Sequence, residues 1–195
     1  MANIEKTLKK KKHIVEALKR LLETNVYSQI SIEDVAEEAD LSKGGLRHYF
    51  PTKEELYTGL IEDFFGQIEK DHSGALEGLE NEDKVFVSTL FNIERFLNDK
   101  RNIRVFMNLI LYGFEDEKIM HIIRKFTRNQ LNQFIMRLKD SSGNNLRQTE
   151  SDNQFKARIT QIILLCAGIF ETIDPIEMET PRLIRHLLSL SKNKI

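Results

Sequence analysis

Six residues in eight consecutive positions carry the most concentrated chemistry of the chain: Ser42, Lys43, Gly45, Arg47, His48 and Tyr49. All but the glycine can donate hydrogen bonds, and two are permanent cations. Lysine and arginine meet phosphate oxygens, and arginine can instead fork onto a guanine edge. A helix opening at Lys43 would add its free backbone amides to the Ser42 hydroxyl, a combination that suits a phosphate. Hydrolytic or metal chemistry finds no comparable set. His13, His48, His72, His121 and His186 are scattered without ligand spacing, and Glu115, Asp116 and Glu117 crowd a turn. There is no glycine-rich phosphate loop and no nucleophile elbow. The sequence therefore points away from an enzyme and implies neither metal nor cofactor.

The surrounding segment supplies the elements needed to present those donors. Residues 31–50 have the spacing of a helix-turn-helix, whose second helix enters the DNA major groove. Ser31 to Asp34 forms a capping-box pattern and starts the first helix. Val35, Ala36 and Leu46 pack the pair, and the small Ala36 and Ala39 permit close approach. Asp40-Leu41-Ser42 breaks the chain, Ser42 caps the second helix, and Pro51 stops it. A longer helix precedes this segment, and Thr52-Lys53-Glu54-Glu55 opens another behind it. Beyond Ser73-Gly74, helices are expected at 82–98, 101–113, 116–139, 152–173 and 180–192, with no convincing strand. The fold class is all-α, with about nine helices.

Charge at first argues against DNA. The 195-residue chain has 29 basic and 30 acidic side chains, a net charge of −1. The mean conceals a gradient: residues 1–20 carry +5, and residues 54–83 carry −9. Positive charge is gathered where a reading head would need it. One cysteine excludes an internal disulfide, and no apolar run approaches a membrane span. The N-terminus lacks an apolar signal core, so a cytoplasmic location is expected.

The run from Ser31 to Leu56, with A-x-x-A-x-L-S-x-G-x-L-x-x-Y-F-x-x-K-x-x-L at its heart, resembles the DNA-binding signature of the TetR (tetracycline-repressor-like) family. The resemblance covers about residues 8–69. It implies a helix-turn-helix domain over 8–69, with its recognition segment at 31–50, and a helical ligand-binding and dimerisation domain over 70–195. It implies that Lys43, Gly45, His48 and Tyr49 face the groove, and that Gly44 lets the backbone approach DNA. It places Ser31, Ile32 and Lys53 near phosphates, with Lys9 to Lys12 reaching the flanks. The family usually has tyrosine where this chain has Arg47, so operator preference is open between a phosphate and a guanine contact.

The family also implies that the last two helices form a four-helix bundle with a second subunit. Helix 152–173 is apolar around most of its circumference, more than one intramolecular face needs. Phe155, Ile159, Ile162, Ile163 and Phe170, with Leu183 and Leu187, are the expected interface. Phe86, Phe91, Phe106, Met107, Leu111, Phe114 and Phe126 are the expected lining of an apolar pocket. The partners are then double-stranded operator DNA, a small, hydrophobic effector, and a second copy of the chain. The expected function is a dimeric repressor that leaves a palindromic operator when the effector binds. The alternatives are a ligand-independent DNA-binding protein, an activator, or a co-regulator that acts through a partner protein.

Overall fold

In the computed structural model the described residues are 2–141, 150–175 and 179–192. They contain helices and turns and no strand. The helices are α1 (Ala2–Leu22), α2 (Ile32–Glu38), α3 (Lys43–Tyr49), α4 (Lys53–Leu76), α5 (Asn81–Ile93), α6 (Lys100–Glu115), α7 (Glu117–Ser141), α8 (Glu150–Ile173) and α9 (Thr180–Lys192). A 3-10 turn at Tyr27–Gln29 lies between α1 and α2, and a π-helical turn at Glu94–Asn98 follows α5.

The chain forms two compact units. The first comprises residues 1–69 and 104–125, and the second residues 70–103 and 126–195. The first unit thus takes in residues 104–125 along with the N-terminal helices. Its core is built from Ile14, Leu18 and Leu22 of α1, Val35 and Ala36 of α2, Leu46 of α3, and Leu56, Leu60 and Ile61 of α4, all buried. Leu46 is the one buried residue of the seven-residue α3, which leaves Lys43, Gly44, Arg47 and His48 exposed. Gly59 on α4 has no side chain because the Phe50 ring occupies the space.

Two sequence expectations about helix ends shift. Helix α4 runs through Ser73 and Gly74 to Leu76, and α6 runs through Gly113 to Glu115. At Gly113 a β-carbon would crowd Met120 and Ile123 of α7, so that glycine serves close packing and does not end the helix.

Inside the first unit Asn108 of α6 fastens the connector that follows α1. Its Oδ1 accepts from the Tyr27 backbone N–H at 2.9 Å, and its Nδ2 lies 3.1 Å from the carbonyls of both Leu22 and Asn25. The Leu22 carbonyl is one of the orphan acceptors left at the end of α1, so Asn108 acts as a cap supplied from another helix. The Tyr27 hydroxyl donates to Glu115, and the Tyr112 ring lies 5.5 Å from that of Tyr27 and 4.6 Å from that of Tyr57. Glu115 accepting from Tyr27, together with burial, raises the pKa of that phenol.

Among the described residues of the second unit, two apolar clusters stand out. Ile93, Leu97, Leu164, Leu183, Ile184 and Leu187 form one; Val85, Ile135, Leu138 and Ala157 form the other. The π-helical turn lies so close to α8 that a β-carbon on Gly168 would overlap the carbonyl oxygen of Phe96. Only glycine fits at that crossing.

Candidate nucleic-acid interface

The recognition helix is built from local rules. The Ser31 hydroxyl accepts from the Asp34 N–H at 3.1 Å and the Asp34 carboxylate accepts from the Ser31 N–H at 2.7 Å, a complete capping box that starts α2. Those hydrogen bonds hold the Asp34 carboxyl below the usual carboxylate range. The Ala39 N–H reaches back to Val35, and Asp40 turns the chain with φ +52°. Aspartate tolerates that left-handed conformation better than most residues. The Ser42 hydroxyl then accepts from the Gly45 N–H at 3.0 Å and starts α3.

On α3, Lys43, Gly44, Arg47 and His48 are exposed, Gly45 and Tyr49 are half-buried, and Leu46 faces the core. The His48 and Tyr49 rings meet edge to face at 5.1 Å. A β-carbon on Gly44 would meet nothing within the chain, whereas one on Gly45 would press on Ser42 Oγ. No intramolecular contact therefore demands glycine at position 44, and the space above it is open to a partner. The arrangement offers two cations, an imidazole and a phenol on one short helix, which suits phosphates and base edges.

Two site residues have intramolecular partners that the sequence did not reveal. Lys43 is paired with Glu33 at the start of α2, and that ammonium holds the Glu33 carboxyl below its ordinary range. Lys53 sits half-buried at the start of α4. Its Nζ donates to the Ile30 carbonyl at 2.9 Å, lies 3.4 Å from that of Tyr27, and stands over the Tyr57 ring. Its first role is to secure the connector ahead of α2; a phosphate would engage the ammonium's remaining donor capacity. Ser31 is exposed but committed to the cap, and Ile32 is half-buried. Asn108 was missed altogether. Its signal was a polar residue at an inward position of α6, level with Val105, Leu109 and Tyr112 in the helical repeat.

On α1, Lys6, Lys9 and Lys12 are exposed, and Lys10 and Lys11 are half-buried. Glu5, Lys6, Lys9, Lys10 and His13 line a shallow depression. Lys11 stands over the Phe50 ring, 5.1 Å from its centroid.

The residues of the expected effector lining belong to both units. In the first unit Phe106 is buried and meets Phe65 edge to face at 6.1 Å, Met107 is half-buried, and Leu111 and Phe114 are exposed. In the second, Phe126 is buried, Phe86 is exposed, and Phe91 stacks on His72 at 4.8 Å. The expected dimer residues also divide. Phe155, Ile162 and Phe170 lie exposed on α8, and Ile159 and Ile163 are half-buried. Leu183 and Leu187, however, are turned into their own unit, where they pack on Ile93, Leu97 and Leu164.

A helix-turn-helix head at one end of an all-helical chain defines a class of DNA-binding regulators. Residues 14–60 match the family described as "Bacterial regulatory proteins, tetR family". The chain is similar to the HTH-type dhaKLM operon transcriptional activator DhaS of Lactococcus lactis, with 32% identity over 71 residues, 36% of this chain and 38% of that protein. It is also similar to the nucleoid occlusion factor SlmA of Shewanella amazonensis, with 37% identity over 62 residues, 32% of this chain and 31% of that protein. Both alignments span less than two-fifths of the relative's length. The fold of the whole chain is similar to that of a transcriptional regulator from Rhodococcus sp. Rha1, with a TM-score of 0.75 and 15% identity over 93% of this chain and 92% of that one. The similarity to the TetR family thus lies in residues 14–60, less than half of the chain, and the likeness over the remainder is one of fold. Among its described residues no helix is long and apolar enough to cross a membrane.

Proposed function

We propose that the chain is a DNA-binding transcriptional regulator that acts as a homodimer and releases its operator when a small molecule binds the second unit. The observation that carries the reading is the exposed polar face of α3, held by two side-chain caps and a single buried leucine. Among the described residues Arg47 and His48 make no salt bridge there, and Lys43 flanks them. A single recognition helix reads only a few base pairs, so two are needed for useful affinity. The apolar residues exposed along α8 support pairing through that helix. Release then follows from a changed separation of the two recognition helices, which can no longer meet both half-sites.

Genome-wide footprinting of bound sites gives the operator, and fluorescence anisotropy on that duplex gives its affinity. Arg47→Ala is expected to weaken operator binding by about 1–3 kcal/mol. If the loss is confined to one base position, Arg47 reads a guanine; if it is uniform and the salt slope shrinks by about one, it holds a phosphate. Unchanged affinity and slope would remove Arg47 from the interface. The relative DhaS is named an activator, so a reporter gene behind the footprinted site decides the sign of regulation.

A further inference from the structure

Among the described residues, the second unit holds several buried or half-buried polar groups with few partners. Arg137 of α7 is half-buried, and its guanidinium makes no salt bridge to any described carboxylate. Its hydrogen-bonding neighbour is Gln133 Oε1, at 3.0 Å on the same helix. Asn153 of α8 is 3% exposed, and its Oδ1 has no hydrogen-bond partner. His72 of α4 is 2% exposed, with Nε2 2.9 Å from Ser88 Oγ of α5. Buried groups of this kind are rarely left unpaired in a native protein, and an uncompensated cation is the most costly of them.

Two contacts fix how α7 and α8 lie alongside each other. Gln161 Nε2 donates to the Thr127 carbonyl at 3.3 Å, and Lys139 Nζ donates to Glu150 at 2.9 Å. The helices are therefore antiparallel, with Asn153 level with Ile135. A helical side chain sweeps toward the N-terminus of its own helix. The bond from Arg137 to Gln133 follows that direction and carries the guanidinium to the level of Asn153. Burial, and after it the positive charge of Arg137, lowers the His72 imidazole pKa to about 4, so it is neutral at physiological pH. One layer of the unit thus gathers a cation with no carboxylate partner among the described residues, a neutral imidazole and a buried amide. Val85, Ile135, Leu138 and Ala157 form an apolar cluster beside it.

We propose that this layer receives the carboxylate of an amphipathic acid, with Arg137 and Asn153 holding the anion and the neighbouring apolar cluster holding its hydrocarbon body. A guanidinium pairs with a carboxylate through two parallel bonds, and the Asn153 amide can turn its NH2 inward to add a third. His72 contributes an N–H or an acceptor according to its tautomer. A neutral hydrophobic compound would leave the cation unmatched. The assignment rests on the ligand-responsive reading above for its regulatory meaning, but not for its chemistry.

Matched acid–amide pairs test it: sodium octanoate against octanamide, and sodium benzoate against benzamide. Each is titrated by calorimetry into the full chain free of DNA and into Arg137→Gln, with thermal unfolding recorded for both proteins. At least one acid is expected to bind at or below millimolar concentration, its amide at least about tenfold more weakly. Arg137→Gln should lose that preference while unfolding no earlier than the parent, because it removes a desolvated cation. Three results would each overturn the site: no binding of either acid, equal binding of acid and amide, or undiminished acid binding by Arg137→Gln. An acid that binds through Arg137 yet leaves operator affinity unchanged upholds the site and rejects ligand-driven release.

Discussion

At the scale of single residues, Glu33 sets how much positive charge α3 presents. Its carboxyl, held below its usual range by Lys43, remains ionised throughout the neutral range, so the pair is intact wherever DNA binding is measured. Glu33 offsets the Lys43 charge, so a phosphate meets that ammonium's remaining donors at a reduced net charge. Glu33→Gln is therefore expected to tighten binding to non-specific duplex and to steepen the salt slope by up to about one. Titration of a scrambled duplex at several salt concentrations reads both, and an unchanged slope would mean that Lys43 does not reach the backbone. His72 carries a second residue-scale consequence. Its pKa is about 4 in the folded chain against about 6.5 in an unfolded one, so between those values the unfolded state binds more protons. Stability from this group is complete above about pH 6.5 and is lost as pH falls toward 4. Urea unfolding across that window should show the decline, and His72→Phe should flatten it. The caps at Ser31 and Ser42 were legible because capping is a local rule over three residues. The Lys43–Glu33 pair was not, because it spans the turn between two helices and ten positions of sequence.

At the scale of elements, the periodicity located every helix, because each buries one face against a core. It erred at glycines. Gly74 and Gly113 lie inside helices, and only the packed structure explains Gly113, where α7 leaves no room for a side chain. Asn108 belongs at this scale because it joins positions 81 to 86 residues apart. Replacing it with alanine would leave the Tyr27 N–H and two carbonyls without their partner inside the first unit. Asn108→Ala is expected to cost about 2–4 kcal/mol in urea unfolding. The connector also carries the Ile30 carbonyl held by Lys53, immediately before the capping box of α2. Operator affinity of Asn108→Ala should accordingly fall at temperatures where the protein remains folded by circular dichroism. A variant that is destabilised yet binds operator as the parent does would make Asn108 a packing residue without influence on α2.

At the scale of the whole molecule, net charge was the wrong measure and surface pattern the right one. The sequence identified α8 as too apolar for one intramolecular face, but it could not separate the inward residues of α9 from an interface. That separation depends on which face of α9 meets Ile93 and Leu97, a tertiary fact with no periodic signal of its own. The structure leaves Phe155, Ile162, Phe170 and Ile173 exposed along α8 at spacings that keep them on one side of the helix. Four large apolar side chains in water on one helix are costly for a monomer and useful to a pair. Ile162→Asp combined with Phe170→Asp should therefore leave the helical content and unfolding temperature of the protomer nearly unchanged, since both side chains are already solvated. Sedimentation equilibrium should find the variant monomeric where the parent is dimeric. With the two recognition helices uncoupled, each half-site is bound as a separate event, and operator affinity should fall by about a hundredfold or more. If the variant remains a dimer, the exposed face of α8 is not what joins the subunits. If it is monomeric yet binds the full operator undiminished, the two heads do not act together.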